Sequence, residues 1–263
     1  MADAQNFFVD GEAYERLMGR FTRAAGEVFI DWLSPAKGLD WLDVGCGTGA
    51  FTQLVLDRCA PKRLSAIDPS PEQIAYARKT PAAKYVDFQT GDAQSLPFGD
   101  RAFDASVMAL VITFVSDPNK AVLELARVTR PGGTVGTYMW DVYNKGFPQQ
   151  PLREAVKRMG IEVPFLPGHD HSRMTNMKGY FKSAGLEAVA TRVIEVNVVY
   201  ANFDEFWSGQ TALANYVVKH IRNMSDADVE RLKSDLRRSL PKDQNGRIAY
   251  KARANAVKGR VSG

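Results

Sequence analysis

The chain has 263 residues, with 34 Lys+Arg against 30 Asp+Glu, 45% hydrophobic residues and two cysteines. That length admits one large domain or two small ones and a core that needs no staples, and the apolar fraction excludes a globally disordered chain. Cys46 and Cys59 cannot build a disulfide framework, which points to a reducing compartment. Residues 1–12 are acidic and carry no basic-then-apolar leader. The apolar run 107–115 is about half of what a membrane span requires. A cytoplasmic protein with no membrane partner is expected.

In chain order, Tyr14, Leu17, Met18, Phe21, Ala24, Ala25, Val28, Phe29 and Trp32 recur at helical spacing, which predicts an amphipathic helix over 12–33 with Asp10 as its N-cap. Short apolar runs then alternate with helical patterns. Strands are predicted at 41–44, 64–67, 85–89, 103–112 and 134–140, with helices at 50–59, from Ser70-Pro71, and at 117–129. Such alternation implies right-handed crossovers and a parallel, doubly wound sheet with helices on both faces. Further on, helices are expected at 148–159 and 177–184, a loop at 160–176, a strand at 186–200, and helical patterns over 204–240, where Val229, Leu232, Leu236 and Leu240 form the inward stripe. A last strand is expected at 248–261, with Lys251, Arg253 and Lys258 on its exposed side.

Between the first strand and its helix lies Gly45-Cys46-Gly47-Thr48-Gly49-Ala50. Glycines there let a ligand press against the backbone at a helix N-terminus. No Lys-Ser/Thr pair follows, which argues against a phosphate-binding P-loop. Three acids stand at strand ends: Asp43 inside the first strand, Asp68 at the end of the second, and Asp92 after the third. An unpaired carboxylate in a buried strand is costly, so Asp43 makes sense as an anchor for loop amides or as a partner for a cationic ligand. Asp68 follows Gly45 by 23 residues, which suits an acceptor for ribose hydroxyls. Asp92 is placed to accept from an exocyclic amine such as that of adenine. All three fall on the carboxyl edge of the sheet, where open α/β folds bind ligands.

Leu42-Asp43-Val44-Gly45-Cys46-Gly47-Thr48-Gly49, the acid at Asp68, Gly91-Asp92-Ala93 with Leu96-Pro97-Phe98, Phe103-Asp104, and Arg127-Val128-Thr129-Arg130-Pro131-Gly132-Gly133 together resemble the class I S-adenosylmethionine-dependent methyltransferases. The nearest branch is the ubiquinone/menaquinone-biosynthesis-like group (methyltransferase type 11), and the strong part of the likeness covers about 38–140. The resemblance implies a Rossmann-like, seven-stranded, mostly parallel sheet whose antiparallel last strand, 248–261, lies between the strand near Leu186 and the fifth. It implies one methyltransferase domain over 1–263. Within it 1–36 would be a helical lead, 37–145 the cofactor-binding core, 146–176 and 201–245 acceptor-side cover, and 177–200 and 246–263 the completion of the sheet.

By position, the resemblance places S-adenosyl-L-methionine as cofactor. Gly45, Cys46 and Gly47 would lie under its methionine part, and Asp43 would organise that loop and the ammonium. Asp68 would hold the ribose, flanked by Pro69 and Ser70. Asp92, with the backbone of Ala93, would read the adenine amine, and Met108, Ala109 and Leu110 would pass beside the sulfonium. Tyr14, Trp140 and Tyr143 would border the pocket of a small-molecule methyl acceptor, near Asp141. Phe7, Phe8, Phe206 and Trp207 are lid candidates, with core packing as the blander role.

Methyl transfer from a sulfonium needs positioning above all, and a base only if the acceptor must lose a proton. No base can be named. His169 and His171 share a loop without a third ligand, so they are expected to be exposed and no metal is expected; His220 is expected to be structural or exposed. Residues from 219 onward carry +7 (12 basic, 5 acidic), against −3 before it (22 and 25). A solvated basic face is expected there and no nucleic acid, since the aromatic interleaving that bases require is missing. Two rival functions stand beside methyl transfer, a nicotinamide-dependent oxidoreductase and a non-catalytic cofactor-binding protein. The acceptor, the atom methylated and the oligomeric state are left open.

Overall fold

The computed structural model describes residues 20–165, 167–212 and 215–263. An inner strand of its sheet, β1 (Asp40–Val44), is buried over its whole length, as expected of a strand covered on both faces. β1 pairs in parallel with β2 (Arg63–Asp68) and β4 (Phe103–Ala109). β3 (Val86–Thr90) extends the sheet beyond β2, and β5 (Thr129–Trp140) beyond β4. β7 (Ile248–Arg260) then pairs antiparallel between β5 and β6 (Glu187–Tyr200), giving the order β3-β2-β1-β4-β5-β7-β6. The seven-stranded sheet and the inserted antiparallel last strand agree with expectation.

Helices cover both faces. α1 (Arg20–Leu33) packs on α2 (Ala50–Cys59), and Phe29 and Phe51 both meet Tyr138 of β5. α3 (Pro71–Ala77) links β2 to β3 and starts as predicted, the Ser70 side chain accepting from Gln73 N with Pro71 in the first turn. α4 (Pro118–Val128), capped by Asp117, packs with α6 (Met174–Ser183). α5 (Gln150–Arg158), α7 (Phe203–Thr211), α8 (Tyr216–Arg222) and α9 (Asp226–Ser239) complete the chain. A buried amide network ties α5 to α7 and α8: Gln149 Nε2 donates to Gln210 O at 2.8 Å, and Asn215 Nδ2 donates to Gln149 Oε1 at 2.7 Å.

Several expectations are corrected. β4 stops at Ala109 rather than Ile112, because Leu110 turns to φ 62° and Ile112–Phe114 forms a 3-10 turn. β3 starts at Val86, leaving Tyr85 72% exposed. β5 starts at Thr129, so the Pro-Gly-Gly segment belongs to the strand. α6 begins at Met174, and His169–Ser172 forms a 3-10 turn inside the expected loop. The region 204–240 is three helices; in α9 Leu232 and Leu236 are buried, as is Leu240 just beyond it, while Val229 is half-buried. The helix expected over 12–33 is described only from residue 20, so Asp10, Phe7, Phe8 and Tyr14 lie outside the described residues.

At the amino ends of the strands, Arg130 bridges two carboxylates, Asp40 Oδ2 at 2.8 Å and Asp104 Oδ1 at 2.7 Å, while Asp104 Oδ2 accepts from Asp40 N. Arg127 holds the 96–100 loop to α4 through Glu124, Asp100 and the carbonyls of Leu96 and Phe98. Both arginines of the Arg-x-x-Arg-Pro-Gly-Gly segment thus clamp elements together. Cations of the basic C-terminal stretch are engaged too: Lys251 with Glu195, Arg247 with Asp243, and Arg253 with Asp141. Lys258 is not on an exposed side. Its ammonium donates to Trp32 O at 2.6 Å and lies over the Trp32 ring. No helix among the described residues is long and apolar enough to cross a membrane.

Candidate functional site

The glycine loop is welded to the end of β2. Gly45 N and Cys46 N both donate to Ile67 O, at 2.7 and 2.9 Å. Gly45 has φ 77°, and a Cβ there would lie 2.4 Å from Val111 Cγ2, so the loop tolerates no side chain at this point. Gly47 also has a positive φ, 54°, but open space above it. An added Cβ would meet nothing within 4 Å, leaving a bare backbone cradle beside the N-terminus of α2.

Two carboxylates flank this cradle. Asp68 is 9% exposed; its Oδ2 accepts from Gly47 N and its Oδ1 from Ser70 N, each at 2.9 Å. One acid therefore fixes both the loop and the entry to α3, and each oxygen keeps a lone pair for a further donor. Burial raises its pKa, against the lowering effect of those two amides.

Asp43 is buried among β1, β2 and α2. Its Oδ2 accepts from Thr52 Oγ1 at 2.6 Å, whereas Oδ1 is buried with no partner. Burial pushes its pKa up to about 7, with the Asp68 charge adding to the rise and the Thr52 bond opposing it. An orphaned carboxylate oxygen is an expensive feature. A donor group reaches it only by displacing what covers it. Cys46 is buried beside these acids, which with burial push its thiol pKa well up; Cys59, also free, is raised to about 11 by burial. Neither is a reactive thiolate.

The third acid is arranged differently. Asp92 is exposed, and its Oδ1 accepts from Gln94 N at 2.9 Å. Gln94 in turn accepts from Ser116 Oγ and Asp117 N, tying this loop to the start of α4. Gly91 N donates to Asp68 O, so Asp68 and Asp92 stand on adjacent strand ends. Pro69 is exposed, Ser70 half-buried and Ala93 buried.

At the end of β4, Ala109 is half-buried, while Met108 is wholly buried in the core and its carbonyl accepts from Thr137 Oγ1. The Met108 side chain therefore packs in the core. Leu110 holds the left-handed conformation, with its N–H on Tyr138 O; that backbone costs a branched residue about 1–2 kcal/mol.

Trp140 is buried at the end of β5 and its Nε1 has no partner, a property shared with Trp41 deep in β1. Tyr143 lies just beyond β5 and is engaged by neighbouring side chains. Its hydroxyl donates to Asp170, and the Arg173 guanidinium lies over its ring. Asp141 is spent on Asn144 N and Nδ2. His169 and His171 are half-buried rather than exposed: the former stacks on Tyr143 and Phe165, and the latter bonds Tyr180 OH at 2.7 Å through Nδ1. Among the described residues no group of three His, Cys, Asp or Glu is arranged to hold a metal. Phe206 is fully buried against Tyr200, a core position.

Sequence reasoning missed Thr52, Val111 and the backbone of Leu110. Thr52 had a readable signal, a hydroxyl in the first turn of the helix that follows the loop. The other two act through tertiary contacts, Val111 against Gly45 and Leu110 N on Tyr138 O. A hollow of about 440 Å³ lined by Leu56, Pro61, Leu64, Ala82 and Tyr85 opens at the amino end of β2, away from all three acids.

Residues 42–136 match the family described as a methyltransferase domain. A malonyl-[acyl-carrier protein] O-methyltransferase of Serratia marcescens is 35% identical over 139 residues, covering 51% of this chain and 53% of that protein. A ubiquinone/menaquinone biosynthesis C-methyltransferase of Roseobacter denitrificans is 36% identical over 111 residues, covering 41% and 44%. The chain thus spans about half the length of the curated relatives it matches. In fold it is similar to a Haemonchus contortus N-methyltransferase solved with S-adenosylhomocysteine, with a TM-score of 0.56, 16% identity, and coverage of 95% of this chain and 56% of that one. The glycine loop, Asp43 and Asp68 all fall inside the matched stretch, so the segment that carries the candidate site, residues 42–136, is the part of the chain that matches a methyltransferase domain.

Proposed function

We propose that the chain transfers a methyl group from S-adenosylmethionine to a small organic acceptor. The observation that carries this reading is the pair Asp43 and Asp68 on either side of a bare glycine cradle. One holds a buried, orphaned oxygen beneath the loop, the other two oxygens already aligned by backbone amides. That donor-seeking set fits a ligand with an ammonium at one end and vicinal hydroxyls in its middle.

In this reading Gly45, Cys46 and Gly47 hold the methionine part, and Asp43 orders the loop through Thr52 and attracts the ammonium. Asp68, with Pro69 and Ser70, takes the ribose hydroxyls. Asp92 and the Ala93 backbone take the adenine amine, and Ala109 and Leu110 line the methyl side. Bound S-adenosylmethionine supplies a methyl group on a sulfonium, whose leaving group is already activated. The chain's own part is to orient and to exclude water. Trp140 and Tyr14 border the acceptor, within a single domain over 1–263 covered by 146–176 and 201–245, acting in the cytoplasm without nucleic acid.

A second reading of the acceptor, one borne on a carrier protein, is favoured by the likeness to the malonyl-[acyl-carrier protein] enzyme. The test is transfer of tritiated methyl from S-adenosylmethionine to a panel of free carboxylic acids, quinols and amines, and to acyl thioesters of a carrier protein. Label in a free acceptor supports the first reading, and label only in the carrier-bound one supports the second. Binding of NAD in place of S-adenosylmethionine overturns both in favour of an oxidoreductase.

A further inference from the structure

The segment that follows α5 carries a side-chain cluster that the proposed reaction does not use. Gly168, at φ 77°, lies against the turn after β4: a Cβ there would sit 2.4 Å from Thr113 O. Thr113 in turn donates to Met139 Sδ of β5, and Val111, two residues earlier, fills the space above Gly45. Residues 167–173 therefore rest on the carboxyl ends of β4 and β5, across the switch point from Asp68.

The two ends of this segment are held by different means. Toward α6, Ser172 is buried, its carbonyl accepts from Asn255 Nδ2 of β7 at 3.0 Å, and His171 bonds Tyr180. The other end is held by exposed side chains. Asp170 accepts from Tyr143 OH and from Arg173 Nε, the latter at 2.8 Å, with the Arg173 and Asp170 side chains 45% and 57% exposed. Near-parallel rings of Tyr143, His169 and Phe165 gather there, at 5.3 and 4.9 Å between successive centroids, with the Arg153 guanidinium over Phe165. Solvent-exposed ion pairs are weak and stacked pairs modest. The segment is thus pinned at one end and fastened by exposed contacts at the other.

We propose that Tyr143, Asp170 and Arg173 form a latch that holds residues 167–173 as a roof over the acceptor side of the site. In it, Tyr143 is a positioning residue for the acceptor. This rests on the methyl-transfer reading above for what the roof covers, but the latch itself does not. The roof closes over the ends of β4 and β5 with the acceptor inside, and opens at Gly168 to exchange it. Tyr143 contributes through its hydroxyl to Asp170 and its ring under Arg173, not by touching the acceptor.

The test uses the full chain carrying Thr113→Cys, a buried position in the turn against which Gly168 packs, while native Cys46 and Cys59 are also buried. Labelling by N-ethylmaleimide and hydrogen exchange of 167–171 are followed in Tyr143→Ala, Tyr143→Phe and Asp170→Asn backgrounds. Both rates are expected to rise at least tenfold in Tyr143→Ala and by less in Tyr143→Phe, which keeps the ring. Affinity for S-adenosylhomocysteine should stay within threefold of the parent. With an acceptor found in the transfer assay, Tyr143→Ala should raise KM at least fivefold and leave kcat within twofold, a split that general loss of structure does not give. Unchanged labelling and exchange in both Tyr143→Ala and Asp170→Asn would overturn the latch. Faster labelling together with a tenfold loss of S-adenosylhomocysteine affinity would place the segment in the cofactor pocket and overturn its acceptor-side role. Failure of the parent chain itself to bind S-adenosylhomocysteine would strike at the methyl-transfer reading instead, with the exchange result still deciding the latch.

Discussion

Replacing Asp43 by Asn separates what the fold wants from what the site needs. The Asp43 carboxyl is fully buried and has one partner, so its pKa rises from 3.8 to about 7. A carboxyl raised on folding favours the folded state most at low pH: that contribution is whole below about pH 4 and is lost as pH climbs through 7. At about 1.36 kcal/mol per pH unit, the span from 3.8 to about 7 amounts to at most about 4 kcal/mol. Asparagine never ionises and can keep the Thr52 bond, but leaves an amide N–H where Oδ1 stood, at a cost of about 1–3 kcal/mol. At pH 8 Asp43→Asn is therefore expected to stabilise the protein by about 1–3 kcal/mol, or roughly 2–10 °C in Tm for a chain of this size. At pH 4 it should be neutral or destabilising. Affinity for S-adenosylmethionine should fall about 10- to 100-fold with the loss of a charge-assisted bond worth roughly 1.5–3 kcal/mol. Thermal unfolding at both pH values and titration calorimetry read the two halves separately. In the parent chain, calorimetry at pH 6 in buffers of different ionisation enthalpy should also find about 0.9 proton released on binding, as an acid of pKa about 7 gives up its proton. A variant less stable than the parent at pH 8, or one that binds the cofactor equally well, would refute this account of Asp43.

Other substitutions probe the remaining parts. Asp68→Ala removes the acceptor of Gly47 N and Ser70 N and should weaken S-adenosylmethionine binding by more than about 1 kcal/mol; an unchanged dissociation constant by calorimetry contradicts the ribose role. Gly45→Ala should lower Tm through its positive φ and the 2.4 Å approach to Val111. The double variant with Val111→Ala should recover part of that loss, as differential scanning calorimetry will show. Arg130→Met strips Asp40 and Asp104 of their shared partner and should cost about 2 kcal/mol by urea unfolding, discounted for partial exposure. Cofactor affinity should hold, because the clamp lies at the opposite edge of the sheet.

Much of this site was readable because its signals are local. A strand, a glycine turn and a helix cap are set by adjacent residues, so Asp43, Gly45, Gly47 and Asp68 could be placed on one edge before any coordinates. The Ser70 cap, which accepts from Gln73 N at the start of α3, belongs to the same class. What escaped was tertiary. Nothing near Leu110 announces a positive φ, because the apolar run 107–115 continues past it and reads as strand. Lys258 alternates like an exposed strand residue, yet its ammonium reaches a carbonyl 226 positions away on α1. Tyr143 stands where an acceptor contact belongs, but its hydroxyl is claimed by an aspartate 27 residues further on. The Arg127 and Arg130 motif suggested a family without revealing that both side chains serve packing.

The acids at the strand ends are expected to bind S-adenosylmethionine. Titration calorimetry of the full chain with S-adenosylmethionine and, separately, with NAD tests it most directly. The account predicts micromolar binding of the first and its demethylated product, with no heat from the second. Binding of NAD alone would contradict it.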